Sequence, residues 1–100
     1  NLKNTFRDAT GLNSTLNWDT TNVTNLEETF KGAINFNQPV PWSTSAATSV
    51  SGAFSGATLY NQPLDWHLSA CSNFNFLFED AVSLDSTCLL LYGIPQTSLP

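Results

Sequence analysis

A 24-residue repeat constrains this chain more than any other feature of its sequence. Tryptophan and phenylalanine each recur at this spacing with no residue inserted or deleted between units. Their positions are Trp18, Trp42 and Trp66, and Phe6, Phe30, Phe54 and Phe78. Strict register is typical of stacked coils, because an inserted residue would push one coil out of line with its neighbours. We divide the single repeat domain, 1–100, into a partial first coil, 1–15, three full coils, 16–39, 40–63 and 64–87, and a C-terminal cap or tail, 88–100.

Each full coil opens with a predicted strand. Leu16, Trp18 and Thr20 alternate with polar residues, and a period of two is typical of a strand with one buried face. The same alternation favours a core position for the tryptophans over a sugar-binding surface, and it places Leu90 in the tryptophan column. The predicted strands are Leu16–Thr20, Val40–Thr44 and Leu64–Leu68.

A short helix is predicted after each strand. Apolar residues from Val23 to Ala33 fall at spacings of three, four and three, which is the stripe of an amphipathic helix. Thr24 with Glu27 three residues later has the pattern of a capping box, and Gly32 suits the end of a helix. The predicted helices are Asn25–Lys31, Ser49–Ser55 and Asn73–Glu79.

These elements together predict an α/β solenoid, a right-handed coil similar to a leucine-rich repeat, in which the strands pair in parallel. An all-β solenoid is the alternative, because the repeat length allows both. A turn follows each helix, as in the segment from Phe36 to Pro39, and it carries an asparagine in a fixed column. We expect these asparagine side chains to form a ladder between coils.

The repeat resembles a known family. Its residues are Trp18-Asp19-Thr20-Thr21-Asn22-Val23-Thr24-Asn25-Leu26, then Phe30-Lys31-Gly32-Ala33, then Phe36-Asn37-Gln38-Pro39. This order is similar to the bacterial surface protein repeat, also called the BspA-like or DUF285 repeat, over nearly all of positions 1–88. The resemblance implies a secreted or surface-displayed, leucine-rich-repeat-like protein with no enzymatic activity and no fixed ligand.

Charge and composition exclude several classes of partner. Charged residues make up 11% of the chain, the net charge is −5, and the fixed cations are Lys3, Arg7 and Lys31. Such a surface cannot neutralise a run of phosphates, so we expect no nucleic-acid binding. No apolar run approaches the roughly 20 residues that span a bilayer, so we expect no membrane insertion. The Asn-, Ser- and Thr-rich surface favours an extracellular or cell-surface location.

No catalytic, metal or cofactor signature stands out, so we predict no enzyme and no cofactor. The one histidine, His67, falls on the outward side of a predicted strand, and no His, Cys and Asp set has metal-ligand spacing. Cys71 and Cys88 fall in columns of small or apolar residues, which leaves open both two buried thiols and a disulfide. Asn13 and Asn22 begin glycosylation sequons, which matter in a eukaryotic secretory context.

Two surfaces remain as candidate binding sites. The first is the outward strand face, which is a binding face or merely solvated; its residues are Asn17, Asp19, Pro41, Ser43, Asp65 and His67. The second is a stacking edge on the first coil, formed by Leu2, Phe6 and Ala9. The edge predicts a structural or interaction module within a larger assembly, with protein partners that include other copies of the chain. The face predicts the alternative, an adhesion module for host protein or glycan.

Overall fold

The computed structural model describes residues 1–85 and the backbone of residues 89–92. It contains two strands, β1, Leu64–His67, and β2, Leu89–Tyr92, which pair in parallel. Trp66 lies opposite Leu91, which is an offset of 25 residues rather than 24. Leu90, which the sequence placed in the tryptophan column, is therefore opposite Asp65 instead.

The predicted α/β solenoid is wrong, because residues 1–85 and 89–92 contain no helix. The three predicted helices, Asn25–Lys31, Ser49–Ser55 and Asn73–Glu79, are runs of consecutive turns. We call these runs the turn segments; they cover residues 3–8, 27–32, 51–56 and 75–80. The all-β alternative also fails within this part of the chain, since of the three predicted strands only the third is present, as β1.

The direction of the backbone N–H groups explains why no helix forms. Glu28 N–H donates to the Ser51 carbonyl in the next coil at 2.9 Å, and Thr29 N–H donates to Leu26 at 3.3 Å. This alternation continues along the first three turn segments, with every second N–H directed to the following coil. A helix requires successive N–H groups to bond four residues back, so the bonds between coils and a helix exclude each other.

Two columns of residues in the turn segments have positive φ, which a right-handed helix does not allow. Their φ values lie between 54° and 72°. The columns are Asn4, Glu28, Gly52 and Phe76, and Asp8, Gly32, Gly56 and Asp80. Six of these eight are Gly, Asn or Asp, the residue types that tolerate this conformation best. Gly32 thus has the expected conformation, but it closes a turn segment and not a helix.

The capping box at Thr24 does not form. The N–H of Glu27 bonds to the side-chain oxygen of Asn25 at 2.8 Å, and the Thr24 carbonyl accepts the N–H of Thr48 at 2.8 Å. Asn25 also bridges in parallel to Ser49 in the next coil. The polar residues at this corner therefore join coils together instead of starting a helix.

Side chains replace the backbone ladder in the first two predicted strands. Trp42 Nε1 donates to the Leu16 carbonyl at 2.8 Å, and Trp66 Nε1 donates to the Val40 carbonyl at 3.0 Å. Pro41, the second residue of the predicted strand Val40–Thr44, has no N–H for a ladder. The alternation of burial survives, because Val40, Trp42 and Thr44 are all buried.

The core is a file of aromatic rings that runs along the stack. Phe30 lies between Phe6 and Phe54, with ring centroids 5.6 and 5.1 Å away, and Phe54 continues the file to Phe78 at 5.6 Å. Phe30 and Phe54 are fully buried, and Phe6 is half-buried. Contacts between rings 24 residues apart thus hold neighbouring coils together.

The predicted asparagine ladder is confirmed. The side-chain oxygen of Asn13 accepts the N–H of Asn37, that of Asn37 accepts the N–H of Asn61, and that of Asn61 accepts the N–H of Asp85, each at 2.9 Å. The ladder satisfies backbone donors at the same corner of successive coils. Cys71 is half-buried, with its Sγ 3.3 Å from the Asn73 carbonyl oxygen. Cys88 and most of the C-terminal cap or tail, 88–100, lie outside the described residues, so two thiols and a disulfide both stay open.

Candidate functional site

The strand face places its six predicted residues in solvent. In coils 40–63 and 64–87 the exposed residues alternate with buried ones, whereas Trp18, which the sequence analysis placed in the core, is exposed between Asn17 and Asp19. The face is a band across three coils. Its members are Asn17, Asp19, Pro41, Ser43, Asp65 and His67. His67 Nε2 lies 3.6 Å from a carboxylate oxygen of Asp65.

Asp19 carries a firmly held negative charge on this face. The Thr21 hydroxyl donates to the Asp19 carboxylate at 2.6 Å, and the Thr21 N–H donates to the same oxygen at 3.1 Å. These hydrogen bonds lower the pKa of Asp19, because both stabilise the charged form. A shallow depression of about 250 Å³ also lies on the band, lined by residues that include Pro41, Pro63 and Asp65.

The predicted stacking edge is only partly covered. Leu2, Phe6 and Ala9 are half-buried, and Trp18 beside them is 44% exposed. Every second carbonyl of the first turn segment also lacks a backbone hydrogen bond within the part of the chain that is described. These carbonyls belong to Lys3, Thr5 and Arg7, and the carbonyl of Asn1, just before the segment, continues the row. The edge therefore combines exposed aromatic surface with a row of free acceptors.

Both sequon asparagines, Asn13 and Asn22, are exposed. The side chain of Asn13 is already engaged, since its oxygen accepts the N–H of Asn37 at 2.9 Å and a Gln38 amide N–H at 3.3 Å. Asn13 is therefore both a sequon residue and the first member of the asparagine ladder.

Ion pairs cover the turn segments of the first two coils. Lys3 lies 3.5 Å from Glu27, Arg7 lies 3.1 Å from Glu28, and Lys31 lies 2.8 Å from Glu28. The hydrogen bond from Lys31, supported by the charge of Arg7, lowers the pKa of Glu28. The three fixed cations of the chain thus form ion pairs with neighbouring carboxylates.

A groove on the turn segments was missed by the sequence analysis. We call it the turn-face groove; its volume is about 450 Å³, and it is lined by Glu27, Glu28, Lys31, Ser51, Gly52, Ser55, Phe76 and Glu79. The third coil carries Ser51, Gly52 and Ser55 in the columns where the second coil carries two glutamates and a lysine. This loss of side-chain volume in one coil, between bulky neighbours, is the signal that could have predicted the groove.

A family model described as "Mycoplasma protein of unknown function, DUF285" matches residues 1–89. The chain belongs to the DUF285 family. The resemblance inferred from the tryptophan and Phe-Asn-Gln-Pro motifs is thereby confirmed. No curated protein and no solved structure matches the DUF285 chain.

The described part of the DUF285 chain offers no group of three or more His, Cys, Asp or Glu side chains placed to hold a metal ion. None of its described residues forms a helix long and apolar enough to cross a membrane. The features that could bind another molecule are therefore the strand face, the first-coil edge and the turn-face groove.

Proposed function

We propose that this DUF285 chain is a non-catalytic structural and interaction module, extracellular or displayed at the cell surface, that stacks through its first-coil edge within a larger assembly. The carrying observation is the combination of exposed Trp18 and free carbonyl groups at that edge. The Asn-, Ser- and Thr-rich surface supports the location outside the cell. The coil that covers the edge belongs either to the same chain or to another molecule.

The edge resembles the surfaces that the inner coils bury. Trp42 lies in the column of Trp18, is 4% exposed, and bonds through its indole to the preceding coil. Phe30 lies in the column of Phe6 and is packed on both sides. A similar coil on the first-coil edge would give Trp18 and Phe6 the same contacts, and burying apolar area of this kind is the main driving force for association.

The test measures the mass of the 100-residue chain by light scattering over a series of concentrations. We expect the mass to rise with concentration, because the edge is then covered by other copies. Trp18→Arg places a charge on the edge and should hold the chain at the mass of one copy. The matched control is Leu59→Arg, which changes a 50% exposed apolar residue elsewhere and should associate like the parent.

A parent chain that keeps the mass of one copy at every concentration would count against stacking between molecules. Association that persists unchanged in Trp18→Arg would place the contact somewhere other than the first-coil edge. Circular dichroism of both variants checks that the fold is retained.

A second candidate function is adhesion through the strand face, favoured by the depression beside Pro41 and Asp65. We expect the triple substitution of Asp19, Asp65 and His67 by alanine to abolish binding to immobilised host matrix proteins or glycans without loss of the fold. Binding that is unchanged in this variant argues against the strand face.

A further inference from the structure

We propose that the turn-face groove binds a neutral saccharide and that Phe76 is the platform for one sugar ring. The groove crosses the turn segments of the second, third and fourth coils, away from the first-coil edge. This inference goes beyond the proposed stacking function, because a chain that never associates can still bind a ligand in the groove.

Phe76 is the first reason. It has a φ of 61° and is 64% exposed. In the same column Asn4 and Gly52 are residue types suited to this conformation, and the carboxylate of Glu28 is held by Lys31 and Arg7. A bulky side chain in the left-handed region is disfavoured, and an exposed ring gains little from the core. Backbone strain of this kind, without compensating burial, is typical of residues kept for contact with a ligand.

The floor of the groove is the second reason. Ser55 is only 8% exposed and lines the groove, yet its hydroxyl makes no hydrogen bond within the described residues. The hydroxyl of Ser51, also in the lining, makes none there either. Both hydroxyl groups are therefore available to a molecule in the groove, and the hydroxyl groups of a ligand can act as donors and acceptors to both serines.

The charges of the lining disfavour an anionic ligand. Glu27 is paired with Lys3 and Glu28 with Lys31 and Arg7, whereas Glu79 has no ion pair among the described side chains. An anion would be repelled by Glu79, and the one ammonium group in the lining, that of Lys31, is already bonded to Glu28. A neutral ligand with many hydroxyl groups can donate to the carboxylate and accept from the ammonium group.

The size of the groove agrees with a short saccharide. Its volume of about 450 Å³ lies within the range of roughly 300–1,000 Å³ that is usual for small-molecule sites. Aromatic surface with a few convergent polar groups is also the usual lining of such sites. The saccharide would lie with one ring against Phe76 and its hydroxyl groups toward Ser51 and Ser55.

The experiment titrates the ¹⁵N-labelled chain with maltotriose, cellotriose and mannotriose and follows backbone amide shifts. We expect at least one trisaccharide to move the signals of Ser51, Gly52 and Ser55. Phe76→Asn should weaken that binding by about tenfold or more, the change expected when one aromatic contact is lost. The same variant should be no less stable than the parent, because asparagine suits a positive φ.

A second variant and a control complete the test. Ser51→Glu introduces the residue found at Glu27 in the same column, so it should keep the fold and fill the groove. Leu59→Asn removes an exposed apolar side chain outside the groove and should bind like the parent. No shift with any trisaccharide, binding unchanged in both groove variants, or binding of N-acetyl-lysine amide in place of the saccharides would each overturn the proposal. Association that fails while saccharide binding persists would contradict only the stacking function.

Discussion

At the scale of single residues, Tyr60 shows that the core tolerates an imperfect contact. Its ring stacks on Phe36 at 5.7 Å and on Phe54 at 4.5 Å, and it is fully buried. Its hydroxyl has no hydrogen-bond partner within the described part of the chain. Burial raises the pKa of Tyr60, because the charged phenolate would lie in an apolar site. The packing of the ring therefore stabilises the coil, whereas the unpaired hydroxyl lowers the stability of the fold.

Removing that hydroxyl should stabilise the protein. We expect Tyr60→Phe to raise the free energy of unfolding by about 1–3 kcal/mol, the usual penalty of a buried unpaired polar group. Urea denaturation followed by circular dichroism measures the change. Phe36→Tyr is the matched reverse substitution in the same column and should lower the free energy of unfolding. A loss of stability in Tyr60→Phe would mean that the hydroxyl has a partner.

At the scale of secondary-structure elements, the sequence predicted the buried side chains of the third coil correctly and the helices wrongly. The period of two along Val40, Trp42 and Thr44 correctly predicted which side chains are buried. The spacing from Val23 to Ala33 wrongly predicted a helix. A run of turns with a left-handed residue every four positions buries nearly the same side chains as a helix does. Residue type was the missed signal. Two columns four residues apart are rich in Gly, Asn and Asp, which indicates repeated left-handed residues.

Tryptophan indoles act as structural donors where a strand ladder is missing. Trp42→Phe should lower the free energy of unfolding by about 1–3 kcal/mol, because the Leu16 carbonyl, in a residue only 8% exposed, then loses its donor. Trp18→Phe is the matched substitution in the same column. It should cost less, since Trp18 is 44% exposed and its indole makes no hydrogen bond among the described residues. Equal losses measured by thermal unfolding would show that ring size, and not the hydrogen bond, decides the cost.

At the scale of the whole molecule, stability should fall off toward the end of the stack. Phe54 is fully buried and contacts aromatic rings on both sides, so Phe54→Ala should cost about 3–5 kcal/mol. Phe6 is half-buried, with a stacked phenylalanine on one side, so Phe6→Ala should cost clearly less. Chemical denaturation of both variants compares the two positions. Equal costs would mean that the first coil is as firmly held as the inner ones.

The sequence predicts the exposure of the strand face but not the turn-face groove. Alternation along a strand predicts exposure, so Asp19, Asp65 and His67 are exposed as that pattern requires. The turn-face groove depends on the sizes of side chains that are adjacent only after coils have stacked. Ser51 and Phe76 are 25 positions apart in the sequence, and no local pattern relates them.

The alternate N–H groups of the turn segments have a consequence for assembly. Those that link coils all run one way, from each coil to the carbonyl groups of the following coil. The turn segments are therefore polar along the stack, and the first of them presents a row of acceptors. Two such rows cannot bond to each other, so a symmetric dimer would leave both rows unpaired. Contacts that use this row are head-to-tail, and head-to-tail contacts that do not close into a ring extend as filaments.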